Sequence, residues 1–277
     1  MKMVNGFMGK THALLSVMLF SLCMLIPVDF FQNIYTAIKE NILFTIVLFI
    51  VLIGGSLLPD LDNSQSCAGS TLGAVGGIYT VFMQSTSHII WNLMHLRGDR
   101  PPINQHRYFW HTLVAGGGIL SAFYFLIPDS EFTIIEIIKR DGIEHNVGLV
   151  FLIMTVFIGV LVGSDMVLSR FIKLFKLPKI LNYILPVLMI VYLFFIDVSH
   201  IHILGICLGM GYIFHCIEDF FADSGVPLLF PIPIKKQFWH RCRFFITCET
   251  GSLTNTILDI VFLAIDIGLL FLIYIRR

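Results

Sequence analysis

Residues 42–62 read ILFTIVLFIVLIGGSLLPDLD. The first seventeen of them, 42–58, carry no charge, and a helix crossing the hydrocarbon core of a bilayer needs about 17–25 mainly apolar residues. Pro59 sets a helix boundary at Leu58, and Asp60 and Asp62 follow at once. In extended backbone beyond such a break, residues two apart point the same way, so the two carboxylates would face one or two cations together. An ordinary acidic turn at a membrane exit would use the same residues. Gly54 and Gly55, one turn earlier, would let a neighbouring helix approach closely.

The rest of the chain agrees with a membrane protein. Of its 277 residues 57% are hydrophobic and 13% charged, with a mean hydropathy of +0.87, against about 25% charged in a soluble protein. The formal net charge is +0 and the basic residues are scattered, so there is no case for a nucleic-acid partner. No small-residue cleavage site follows the first apolar run, which reads as a retained span. The six cysteines include no Cys-x-x-Cys pair, and Cys23, Cys207 and Cys216 fall in or at the end of apolar runs as small buried hydrophobes.

The expected fold is all-α, a polytopic bundle of about seven spans near residues 13–31, 42–58, 110–127, 147–167, 180–198, 201–221 and 257–275. Ser199 and His200 alone would separate the fifth and sixth. Residues 72–95 are interrupted by Gln84, Ser85, Ser87, His88, Asn92 and His95, and read as an interfacial or re-entrant helix. Residues 1–234 make one membrane-embedded domain, followed at 235–277 by an interfacial segment and a last span. Alternate loops then hold 13 of the 18 Lys and Arg residues on the side of the N-terminus. By the positive-inside rule that side is cytoplasmic, although Arg276 and Arg277 dissent. If residues 72–95 do not span, Asp60 and His106 share a face.

Four polar clusters then meet on that face. His12 opens the first span behind Thr11, a good cap, and alone would read as an interfacial histidine. His106, Arg107 and His111 follow a Pro101-Pro102 break. Five helical positions rotate by about 140°, so the helix should begin between the two histidines, leaving His111 on its first turn. Arg107 would offer its planar fork to an anionic substrate or snorkel as an anchor. His215 and Asp219, four apart, stack on one helix face, with Asp219 either a ligand or the group that orients His215. Glu218 points about 100° away from Asp219 and is the poorer candidate. Asp165 would be a further ligand or proton-transfer group. Asp266 lies deep in the last span, away from the others, and needs a partner or a proton. Asp259, His88, His95 and His240 stay undecided, while His145, His200 and His202 belong to the opposite face.

The ordered set Pro59-Asp60-Leu61-Asp62, His106-Arg107 through His111-Thr112, and His215-x-x-x-Asp219 followed by residues 225–231 (GVPLLFP) resembles the YdjM-like family of bacterial inner-membrane proteins. The resemblance covers roughly residues 8–234. It implies a metal-dependent hydrolase of the inner membrane, in some members under SOS control through LexA. The long insertion between Asp62 and His106 and Ala222 in place of a threonine depart from the pattern, which bears on substrate and on the groups that support the metal.

The expected activity is therefore hydrolysis at the membrane interface, a phosphoesterase or phospholipase acting on a lipid or other amphiphile. A mixed nitrogen and oxygen donor set suits zinc, manganese or iron better than calcium. Asp60, Asp62, His111, His215 and Asp219 are the expected metal ligands, and His12, His106, Arg107 and Asp165 the expected catalytic groups. The aromatic and basic stretch from Trp239 to Phe245 suits a headgroup-contacting surface or a plain interfacial anchor. Lipid phosphatases of the phosphatidic acid type place an arginine six residues before the histidine of His-x-x-x-Asp. That position is Gly209 here, which argues against their phosphohistidine chemistry. A metal- or proton-coupled transporter is the alternative, although such proteins place coupling residues at the midplane within inverted repeats, and no repeat is evident.

Overall fold

The structure, a computed structural model, describes residues 9–100, 107–125, 134, 136, 147–222, 225–244 and 253–275. Nine long helices are found among them: α1 Gly9–Met24, α2 Asp29–Glu40, α3 Ile42–Leu57, α4 Cys67–Leu93, α5 Leu113–Phe125, α6 Val147–Leu174, α7 Leu181–Leu193, α8 Val198–Glu218 and α9 Leu253–Ile275. Among the described residues there is no strand, only isolated bridges. The fold is an all-helical membrane bundle.

Helix α3 is its axis. It packs against α8 on one side and α6 on another, with α1 close by. Its glycines make the approach possible: a Cβ on Gly54 would stand 2.0 Å from the Gly159 carbonyl oxygen, and one on Gly55 would stand 2.2 Å from that of Leu208. The reverse contacts come from Gly163 and Gly211, which press on the α3 backbone at Ile50 and Leu52. Three helices thus meet main chain to main chain, the packing by which helices associate where lipid tails are as apolar as the side chains.

Not all of the seven expected spans are found. Among the described residues, four segments are long and apolar enough to cross a membrane: Ile42–Asp62, Gly148–Leu174, Val198–Phe221 and Thr254–Ile275. A fifth would be the pair α1 and α2, bent by 110°. The expected span 13–31 breaks after Met24 because Pro27 cannot continue a helix. The chain then forms α2, which buries Ile34 and Ala37 within residues read from sequence as a loop. Helix α7 has 13 residues, about 20 Å at the helical rise, short of the ~30 Å core, and the described part of α5 also has 13. The turn between α7 and α8 falls at residues 194–197 rather than at Ser199 and His200.

The awkward segment 72–95 is mostly one helix, α4, broken at Gly73 (φ 54°). It is not among the helices apolar enough to cross. Its polar residues have structural work: Thr80 donates to the Leu61 carbonyl (2.7 Å), Gln84 to that of Asp62 (2.8 Å), and Thr86 accepts from the Trp110 indole (2.9 Å). Helix α4 therefore holds both the Pro59–Asp62 turn and the stretch before α5.

Candidate metal centre

Four helix ends supply the site. Beyond α3 the chain forms a 3-10 turn, Pro59–Asp62, not extended backbone. With three residues per turn, positions two apart diverge, so Asp60 and Asp62 serve different histidines. Beyond α8 comes a similar turn, Asp219–Phe221. His111 closes a third, Phe109–His111, two residues before α5 rather than on its first turn. Thr112 caps that helix, its hydroxyl accepting from the Ala115 N–H. His12 lies in the first turns of α1. Thr11 is no cap: inside the helix, its hydroxyl donates to Asp259 of α9 at 2.6 Å, and Lys10 pairs with the same carboxylate.

His215 is the centre of the arrangement. Its Nδ1 lies 2.6 Å from the Ser56 carbonyl oxygen, one of the last four carbonyls of α3 and so without a partner in its own helix. A carbonyl only accepts, so Nδ1 carries a proton, which leaves Nε2 as the ring nitrogen free to serve a metal. Nε2 is buried, makes no hydrogen bond to a described residue, and stands 3.4 Å from Asp219 Oδ2 and 3.6 Å from Asp60 Oδ1. Both separations exceed a good hydrogen bond. A cation between this nitrogen and the two carboxylates would satisfy all three in the dry interior.

The other imidazoles are held in the same manner. His12 stacks on His215 with ring centres 4.0 Å apart, and its Nδ1 meets Glu218 Oε2 at 2.6 Å. Ser16, one turn further along α1, donates to the other Glu218 oxygen at 3.0 Å. His111 Nδ1 lies 2.7 Å from Asp219 Oδ2 and its Nε2 lies 3.4 Å from Asp62 Oδ2. Burial alone would push the His111 imidazole down, but the charge of Asp62, the hydrogen bonds to Asp219 and Asp62 and the charge of Asp219 outweigh it and raise the group to about 10, so a cation taken up by this ring would have to displace a proton from it.

Arg107 closes the site from within. Its φ is 60°, a strained value for a residue other than glycine. In that conformation its backbone N–H donates to Asp62 Oδ2 at 2.9 Å while its guanidinium reaches Asp219 Oδ1 at 3.1 Å. The guanidinium is 95% buried, so it is neither a snorkelling anchor nor an outward fork.

Donor atoms of His12, Asp60 and His215 lie within 4.8 Å of one another, and so do those of His111, His215 and Asp219. His215 belongs to both sets. Of the expected metal ligands Asp62 belongs to neither set: its Oδ2 accepts from the Arg107 N–H and lies 3.4 Å from His111 Nε2. Asp165 belongs to neither as well, its carboxylate accepting from Thr71 at 2.8 Å. His106 lies outside the described residues. His95 turns to the Trp91 carbonyl and His240 to Gln237. Sequence reasoning undervalued Glu218, whose signal was the i, i+4 pair His12 and Ser16 presenting two polar groups to one partner. The Ser56 carbonyl had no signal, since any residue supplies one.

The model of the YdjM inner membrane protein family matches residues 7–175, more than half of the chain. The chain belongs to this family. No curated protein and no solved structure matches it. The YdjM match includes His12, Asp60, Asp62, Arg107 and His111 but ends before residue 234, so His215, Glu218 and Asp219 complete the centre from outside it.

Proposed function

We propose that this YdjM-family protein is a metal-dependent hydrolase, a phosphoesterase acting on a lipid or other amphiphile at the cytoplasmic face of the inner membrane. The observation that supports it most is Nε2 of His215, aimed at the carboxylates of Asp60 and Asp219 while Nδ1 is engaged by the Ser56 carbonyl. The donors fit a divalent cation of the zinc, manganese or iron type: His12, His111 and His215, each with its other ring nitrogen engaged, and Asp60 and Asp219. Bound there, such an ion would supply Lewis acidity to a scissile phosphoryl group.

The remaining tasks fall to the chain. Glu218 and the Ser56 carbonyl fix the rings of His12 and His215. Arg107 offsets the charge of Asp219 and, through its N–H, that of Asp62. Of the five donors only Asp60 is incompletely buried, its side chain 18% exposed, so substrate would arrive past Asp60. The excess of Lys and Arg in the loops on this side supports a cytoplasmic orientation, with the N-terminus inside.

Elemental analysis of the purified protein, paired with hydrolysis assays on phospholipids and soluble phosphoesters, tests the reading. Metal should be present, should disappear in Asp60→Ala and His215→Ala, and should accompany turnover. Unchanged metal content in both variants would reject the centre. A metal-loaded protein that hydrolyses nothing but carries ions across proteoliposomes would replace the hydrolase with a transporter.

A further inference from the structure

Helix α4 is polar on the inside and apolar on the outside. Val75, Ile78, Val81, Phe82, Ile89 and Leu93 are each more than half exposed, and their steps of three, four and seven residues put them on one stripe of the helix. Gly76, Thr80, Met83 and Ser87 are buried on the opposite side, where Thr80 and Gln84 donate to the carbonyls of Leu61 and Asp62. None of its 27 residues is Asp, Glu, Lys or Arg. A helix with protein on one side and water on the other is arranged the other way round. The outward side of α4 therefore meets something apolar.

The contacts of α4 show how it lies. Thr80 and Gln84 meet the last residues of the span Ile42–Asp62. The Met83 carbonyl and the Thr86 hydroxyl accept from the indole of Trp110, the residue before His111, at 3.0 and 2.9 Å. Just past the helix, the Met94 carbonyl accepts from the Trp239 indole at 2.6 Å, and the Trp239 ring lies 5.7 Å from that of Tyr108, the residue after Arg107. All of these partners stand at the end of the bundle that holds the metal centre. From Thr80 to Met94 the chain advances about 21 Å at the helical rise. A helix crossing the bilayer would leave that end over such a length, whereas α4 keeps to it. Its last turn carries Trp91 stacked on His95 at 4.3 Å, and tryptophan collects where membrane meets water.

We infer that α4 lies in the plane of the leaflet beside the metal centre, with its outward stripe sunk among the upper acyl carbons of the lipids. Lipid is the apolar partner already present at that level, because the span Ile42–Asp62 leaves the bilayer there. One helix thus has the membrane on one face and the Pro59–Asp62 turn on the other, and it holds Asp60 and Asp62 at the depth of the phospholipid headgroups. That placement goes beyond the hydrolase reading and stands whether or not the centre turns over a phosphoester.

The test is depth. A fluorescent amino acid replaces Ile78, Phe82, Ile89 and Leu93 in turn in the full-length protein, reconstituted in phosphatidylethanolamine and phosphatidylglycerol bilayers whose acyl chains carry bromine at a shallow, middle or deep carbon. Quenching should place all four positions at one shallow depth, about 5–10 Å into the boundary between headgroups and acyl chains. A crossing helix would spread them over about 22 Å, and such a spread would overturn the inference. Quenching by aqueous iodide in place of bromolipid would overturn it by putting the stripe in water. Protection from both quenchers would overturn it too, because protein, either the rest of the chain or a second copy, would then cover the stripe.

Discussion

Helices α8 and α9 are nearly equal in length, 21 and 23 residues, and occupy opposite environments. Of the most apolar stretch of each, 67% is buried in α8 and 22% in α9, although α9 is the more apolar of the two. In a soluble protein that ranking would be reversed. In a bilayer the outer surface faces hydrocarbon and the interior is where polar groups are tolerated, so α8 and the turn after it carry His215, Glu218 and Asp219 while α9 shows Ile260, Ile267 and Phe271 to the outside. A less apolar helix enclosed by others marks where the chemistry lies.

The contrast can be broken most severely at the enclosed end. Gly55→Leu drives a side chain into the α8 backbone at Leu208. Overpacking ordinarily costs about 1–3 kcal/mol and sometimes more, and here main chain would have to yield, so little folded protein should be recovered by size-exclusion chromatography. Normal yield and melting would show that α3 and α8 do not touch. His215→Ala should leave the protein folded and remove its metal, read as stoichiometry. Glu218→Gln keeps the shape but weakens the hold on His12. Metal affinity should drop by about 10–100-fold, the usual effect of losing a group that orients a ligand, and an unchanged titration would detach Glu218 from the centre.

The outer helix sharpens the contrast with smaller effects. Asp266 is buried and neither of its oxygens makes a hydrogen bond among the described residues, a state that costs about 1–3 kcal/mol. Asp266→Leu should therefore raise the melting temperature in detergent, and a fall would mean that the carboxyl has a function of its own. Ile267→Val, on the exposed face of α9, should change stability by less than about 0.5 kcal/mol. A larger loss would place a neighbour where lipid is expected.

Much of the site was legible because its residues are of types that a membrane interior does not otherwise hold. Asp60, Asp62, His111, His215 and Asp219 each end or flank an apolar run, and the structure gathers them with His12. Gly54 and Gly55 likewise announced a close helix crossing, found against α6 and α8. What was hidden depended on partners that spacing does not reveal. Arg107 has the composition of an anion fork, but the buried charge of Asp219 draws it inward. Asp165 has the depth of a ligand, yet Thr71 of α4 satisfies it. Helix α2 was written in its spacing, with Phe30, Phe31, Ile34, Tyr35 and Ile38 three to four apart, and was passed over because the preceding apolar run suggested a span that continued through Pro27. The polar residues of α4, which leave it outside the helices apolar enough to cross, concealed that some of them brace the site.

The grip of the Ser56 carbonyl on His215 has an evolutionary corollary. Because the anchor belongs to the main chain, a codon change at position 56 cannot delete it. Genetic drift can exchange the fully buried serine for another small residue so long as the helix still ends where Pro59 ends it. Selection at this end of α3 should therefore act on the proline and the glycines more than on the residue that makes the contact.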